Sequence, residues 1–295
     1  MNLSFIIEVT LGGLLSGVMY SLVALGFVLI YKASGVFNYA QGSMVLFAAL
    51  CFAGQLELGI PIWLALLLTI AIMVALAYTV ERLVLRPLVN QEPITLFMAT
   101  IGVSFFLDGF GQQIWGSEVH TLNLGIPQNP LFIGDVLINE FDLIAAAVAG
   151  SLVVALALFF QYTRVGRALR AVADDHQAAM AVGIPLKWIW VVVWSAAGVV
   201  ALVAGIMWGS SLGVQFSVAL VALKALPVLI LGGFTSIPGA IIGGLIIGAG
   251  EKLSEVFLGP MLGGGIETWF AYMLAMVFLL VRPQGLFGEK IIERV

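Results

Sequence analysis

The amino-acid sequence predicts an all-α integral membrane protein, a polytopic helical bundle of about seven to nine spans with some short or broken helices. Three observations predict it. Of the 295 residues, 62% are hydrophobic and only 9% are charged, with a mean hydropathy of +1.14. A soluble domain carries roughly 25% charged residues, so too few charges exist here to face water, and lipid must be the solvent for most of the outside. The apolar runs are long and closely spaced, which excludes a merely greasy soluble core. Stretches such as 145–160 are apolar all round, whereas a transmembrane β-strand would alternate apolar and polar positions.

Apolar stretches fall near 9–31, 36–54, 62–80, 94–115, 141–163, 187–212, 217–231, 237–250 and 266–281. A straight span needs about 20 residues. The stretches at 217–231 and 237–250 are shorter, and are expected to be tilted, re-entrant or half-helices buried by neighbours. The N-terminus, Met-Asn-Leu-Ser-Phe-Ile-Ile-Glu, has no basic region and no small-residue cleavage site, and reads as part of the first span. The single cysteine, Cys51, lies in an apolar run and is expected to pack as a small hydrophobe.

Basic residues orient the spans. Lys32, Arg82, Arg86, Arg164, Arg167, Arg170, Lys187, Arg282, Lys290 and Arg294 all sit at span ends that one topology places on the same side; only Lys224 and Lys252 do not. The opposite ends carry Glu8, Glu57, Glu118, Asp135, Glu140, Asp142, Glu255 and Glu267. The expectation is an N-terminus outside, a C-terminus in the cytoplasm and an odd number of spans. Trp63, Trp115, Trp208 and Trp269 near outer ends, with Trp188 and Trp190 near an inner end, are placed as interfacial anchors should be. No soluble domain interrupts the pattern, so residues 1–295 read as a single transmembrane domain. It has an outer loop near 116–140, rich in turn formers, and an inner loop near 164–187.

The inner loop carries its own helix signals. Arg164, Arg167 and Arg170 share one face if the helix continues inward past Tyr162. Asp174 is a good N-cap and Gln177 can complete a capping box. Gly183 suits a C-cap and Pro185 stops the helix. A helix of about two turns is expected after Asp174, through Asp175, His176, Gln177, Ala179 and Met180. It is either a structured connector or a docking element. Its sharp bounds and its apolar Met and Ala residues favour docking.

Polar groups at membrane depth are costly and usually face a cavity or a partner. Ser34, Asn38 and Gln41 lie in a glycine-flanked break between the first two stretches, Ser104 lies in the fourth, and Lys224 lies beside Pro227. These five are the candidate translocation path. The structural alternative for the break is hydrogen bonding between helices. For Lys224 it is snorkelling, or pairing with a carboxylate such as Asp108.

No Gly-x-x-x-x-Gly-Lys-Ser/Thr pattern occurs, so the chain has no P-loop for ATP. The only histidines, His120 and His176, fall on opposite sides in the expected topology, and one cysteine makes a metal site implausible. An enzyme is not expected. A carrier, channel or permease subunit remains.

Several segments together resemble a known family. Gly17-Val-Met-Tyr-Ser-Leu-Val-Ala-Leu-Gly26 followed by Asn38-Tyr-Ala-Gln-Gly42 is similar to the opening of LivH-type permease subunits of branched-chain amino acid ABC importers. Glu81-Arg-Leu-Val-Leu-Arg-Pro-Leu88 resembles their inner loop after the third span. Thr163 to Ala171 and Met180 to Ile184 resemble their coupling loop. Leu223-Lys-Ala225, Leu231 to Ala240 and Arg282 to Phe287 resemble their C-terminal third. Gln41 stands where the family usually has His or a similar polar residue.

The resemblance implies a second homologous permease subunit, two cytoplasmic ATPase subunits that bind the ATP, and an extracytoplasmic solute-binding protein. It also implies an inner-membrane location, no cofactor on this chain, and a coupling-helix role for the segment after Asp174. Branched-chain or related amino acids are the expected solute. The alternative is a self-sufficient secondary carrier for amino acids, urea or short amides, which would need paired membrane carboxylates or an ion site.

Overall fold

The structure is a computed structural model that describes residues 3–88, 91–174 and 176–288. Asp175, Lys290, Arg294 and the side chains of His176 and Gln177 lie outside the described residues.

Each apolar stretch becomes a helix. Those at 9–31, 36–54, 62–80, 94–115, 141–163 and 187–212 become α1 (Leu3–Ser34), α2 (Gln41–Glu57), α3 (Ile62–Val80), α4 (Pro93–Trp115), α5 (Glu140–Tyr162) and α8 (Leu186–Leu212). The segment 164–187 supplies α6 (Arg164–Asp174) and α7 (His176–Ala181); the last third supplies α9 (Val221–Gly232), α10 (Ile237–Leu262) and α11 (Glu267–Val281). Among the described residues five helices, α1, α3 with the turns after it, α4, α5 and α8, are each long and apolar enough to cross a membrane. A 3-10 turn (Phe216–Leu220) leads into α9. That run and α10 pass the same test together, as a pair bent by 115°. The two stretches thus form a bent pair, a broken span or a re-entrant loop, but α10 has 26 residues and is not the short piece its apolar stretch suggested. The loop near 116–140 also forms a hairpin, β1 (Pro130–Ile133) against β2 (Val136–Asn139), around a Gly134-Asp135 turn.

The chain divides into two compact units. The first comprises residues 1–28, 125–153 and 222–295. Its centre is the crossing of α1 and α10, which glycines bring into backbone contact. A methyl group on Gly17 would lie 2.5 Å from the Gly244 carbonyl oxygen, and one on Gly13 would lie 2.7 Å from Ala249 Cα. Small residues four apart on each helix (Gly13 and Gly17, Gly244 and Gly248) make this possible, since lipid supplies no hydrophobic drive between helices and close packing must hold them. After α11 the chain returns to α9. The Leu286 and Phe287 amides donate to the carbonyls of Leu231 and Gly232, satisfying acceptors that a helix C-terminus leaves open.

The second unit comprises residues 29–124 and 154–221. Its core is α2, buried from Gln41 to Gly54 and packed by α3, α4 and α8. A helix apolar all round belongs in such a place. Cys51 is buried there as a free thiol. The neighbours show one buried stripe each: Ala65, Thr69, Met73 and Ala77 on α3, and Leu96, Thr100, Ser104, Leu107 and Gly111 on α4. Their other faces expose Leu67, Phe105 and Phe106, a surface suited to lipid.

Candidate functional site

The break between α1 and α2 holds the first group of polar side chains. Asn38 and Gln41 are fully buried. The Asn38 amide donates to Gln41 Oε1 at 3.4 Å, its own Oδ1 accepts from the Ala40 amide at 3.1 Å, and the Gln41 amide donates to the Ala197 carbonyl on α8 at 3.4 Å. Ser34 donates back to Ile30 at 2.8 Å and turns the chain out of α1. Ser104 on α4 is paired with Ser43 on α2 at 2.7 Å. Asp108 lies one turn further along α4, and its buried Oδ1 has no partner among the described residues. These polar groups tie α2 to α8 through Gln41 and to α4 through Ser43. In this conformation the amides hold helices together.

The second group lies in the first unit. Lys224 on α9 is 3.9 Å from Glu251 on α10, and its ammonium donates to the Tyr20 hydroxyl of α1 at 3.4 Å. The Glu251 side chain is only 3% exposed and that of Lys224 33%. The carboxylate beside Lys224 is Glu251, not Asp108. The sequence reading missed it by ending the stretch at 250, whereas α10 runs on to Leu262 and carries Glu251 inward. The surviving signal was residue spacing: Glu251 is seven residues from Gly244 and three from Gly248, on the face that packs on α1. Lys252 pairs with Glu267 at 3.2 Å. Pro227 inside α9 lacks an N–H and so leaves the Leu223 carbonyl without its helical donor. The Tyr272 hydroxyl of α11 fills the vacancy at 2.7 Å.

The third group is the segment 164–187. α5 ends at Tyr162 and α6 begins afresh at Arg164, so the three arginines share α6 and not an extended α5. The break is tight: a methyl group on Gly166 would collide with the Phe160 carbonyl. Arg170 turns back to donate to the carbonyls of Phe160 and Gln161 at 3.0 and 3.3 Å, capping the end of α5. Asp174 closes α6, and α7 follows. Gly183 ends it with φ +86°, the left-handed conformation that a side chain resists. The Gly183 amide donates to Met180 and the Ile184 amide to Ala179, both at 3.0 Å. These two bonds are the Schellman pattern. Met180 and Val182 are exposed, whereas Ala179 is buried.

Trp190 is not an interfacial anchor: it is 4% exposed, and its indole N–H donates to the Ala33 carbonyl at 3.0 Å. Trp63, Trp188 and Trp269 are exposed. Among the described residues no cluster of His, Cys, Asp and Glu could hold a metal.

A family model described as branched-chain amino acid transport system / permease component matches residues 9–282. The high-affinity branched-chain amino acid transport system permease protein LivH of Salmonella typhimurium is 29% identical over 99% of this chain and 98% of its own. BraD of Pseudomonas aeruginosa, a permease protein with the same description, is 29% identical over 96% of each chain. A probable LivH of Methanocaldococcus jannaschii is 27% identical over 94% of this chain and 91% of its own. Among solved structures, a chain of PsaBC from Streptococcus pneumoniae, determined in complex with a Fab, has a TM-score of 0.51 over 92% of this chain and 89% of that one. At 15% identity that is a likeness of fold alone.

Proposed function

The chain belongs to the family of permease components of branched-chain amino acid transport systems, and on that premise we infer that it is the membrane subunit of an ATP-driven ABC importer. Its solute is a small polar molecule, a branched-chain or related amino acid, carried into the cytoplasm. The chain is a multi-pass membrane protein, a transporter subunit and not an enzyme. Its partners are a second, homologous permease subunit, two cytoplasmic ATPase subunits and an extracytoplasmic solute-binding protein. ATP is bound and hydrolysed by the ATPases, and this chain needs no cofactor of its own. Its N-terminus is outside, its C-terminus is in the cytoplasm, and it resides in the inner membrane.

The observation that carries this reading is α7: a short helix bounded by α6 and a Schellman turn, presenting Met180 and Val182 outward. A connector needs neither the cap nor the apolar face. As a coupling helix, it passes ATPase closure to α8, which begins at Leu186 just beyond it. Ser34, Asn38, Gln41, Ser104 and Lys224 line the solute path in the state that opens it.

One feature favours a second reading. The buried Glu251 beside Lys224 is the kind of membrane carboxylate that an ion-driven carrier needs. Purification in mild detergent separates the two. A P-loop ATPase and a second permease that co-purify, with uptake in liposomes that requires ATP, support the importer. A chain that purifies alone and moves solute down an ion gradient without ATP overturns it.

A further inference from the structure

We propose that a cleft beside α7 binds the headgroup of an anionic phospholipid. The cleft lies within the second unit and measures about 510 Å³. Ligand pockets run from about 300 to 1,000 Å³, so it holds a headgroup and the first methylenes of its chains. Glu81, Arg86, Lys187, Met180, Ile184 and Trp190 line it.

The charges select the sign of the occupant. Glu81 begins a π-helical turn (Glu81–Leu85) at the end of α3, and its side chain is only 2% exposed. Arg86 holds both its oxygens, through Nε and Nη2 at 3.0 to 3.2 Å. The Glu81 charge is thereby balanced by Arg86. Arg86 remains about half exposed, and among the described residues its bonds run through Nε and Nη2, leaving Nη1 free. Lys187 is exposed and likewise has no partner among them. One spent acid and two cations leave the cleft a net positive charge and free donors for an anion.

The walls select the rest of it. Met180, Ile184 and the Trp190 ring are apolar, and the Trp190 N–H is already bonded to Ala33. A free phosphate would use the donors and leave this wall uncovered, whereas a phosphodiester with acyl chains uses both. The level is also right. The cleft sits where α3 ends and α8 begins, next to an outward Trp188 at 57% exposure, as residues at the headgroup level are. Basic pockets at helix ends take anionic headgroups. Because Met180 and Ile184 flank the end of α7, a lipid there steadies that helix. The effect on coupling rests on the importer reading; the binding does not.

The test uses the chain with the subunits that co-purify with it, in nanodiscs of phosphatidylcholine with or without phosphatidylglycerol, and reads retained lipid by native mass spectrometry. Phosphatidylglycerol is retained in preference to phosphatidylcholine, and Lys187→Gln weakens that retention about fivefold, the effect of one lysine near a charged surface. Ile184→Asp, which keeps both cations but charges the wall, weakens it too in protein whose thermal melting shows it folded. Equal retention of the two lipids, or unchanged retention in Lys187→Gln, overturns the proposal. Displacement of the lipid by inorganic phosphate also overturns it, in favour of a soluble anion. Loss of ATP-dependent uptake without phosphatidylglycerol would extend the proposal to coupling, and its failure would leave the permease assignment intact.

Discussion

The Tyr272 hydroxyl donates, at 2.7 Å, to the one carbonyl in α9 that Pro227 deprives of its helical donor, that of Leu223. An open carbonyl in lipid has no water to turn to. The proline break in α9 is therefore tied to α11, one residue before Lys224.

Replacing Tyr272 with Phe removes this donor and is expected to cost about 1 kcal/mol of stability. Pro227→Ala restores the amide donor within α9. The cost of Tyr272→Phe should then shrink in a Pro227→Ala background, because the same carbonyl is served twice. Thermal unfolding of the four proteins in a double-mutant cycle measures the coupling. Equal costs in both backgrounds would show that the hydroxyl serves something else.

Lys224 and Glu251 should respond unequally. Lys224→Met strands a carboxylate that is almost wholly buried, and is expected to cost about 3 kcal/mol. Glu251→Gln leaves a lysine that is one-third exposed and can reach toward a headgroup, so its cost is smaller. The double replacement Lys224→Met with Glu251→Leu should recover most of the loss. Uptake kinetics in the double variant then address transport separately from stability. Normal uptake there assigns the pair to structure, and lost uptake in a stable protein supports a place on the solute path.

Substitutions on α7 should also divide by exposure. Met180→Asp lies on the exposed face and is expected to uncouple ATP hydrolysis from uptake while the fold stands. Ala179 looks equally accessible in the sequence, but it is 3% exposed, and Ala179→Asp places an unpaired charge in packing and destabilises the loop as well. Parallel assays of melting temperature, ATPase rate and uptake distinguish them. Unimpaired coupled transport in Met180→Asp would argue against a docking helix.

Gly17→Leu is expected to abolish folded protein, since its first carbon already meets the α10 backbone at 2.5 Å. Gly12→Ala, where a methyl group meets nothing within 4 Å, should be neutral or stabilising by about 0.5 kcal/mol. Yields and melting temperatures in detergent test the contrast. Similar behaviour of the two would mean that the crossing of α1 and α10 is looser than it looks.

Features with local causes were legible beforehand. The nine apolar stretches, the broken pair near 217–250 and the Gly183 stop all follow from hydropathy, length and the left-handed preference of glycine, and each stands in the structure. The continuation of α5 failed because the cause is not local. Gly166 must pass against the Phe160 carbonyl, and Arg170 bonds back to the end of α5.

By itself, then, the sequence determined that the protein is a helical membrane bundle, roughly where its apolar helices lie and where the turn at Gly183 falls. These depend on the solvent around the chain and on a few neighbouring residues. Only the tertiary structure decided that Lys224 meets Glu251, that Trp190 is buried against Ala33, that Tyr272 serves Leu223 and that Ala179 is hidden while Met180 is not. In a chain so uniformly apolar, hydropathy marks a residue as fit for lipid or for the core without telling the two apart. The partner of a polar group is set by which helices cross at its depth.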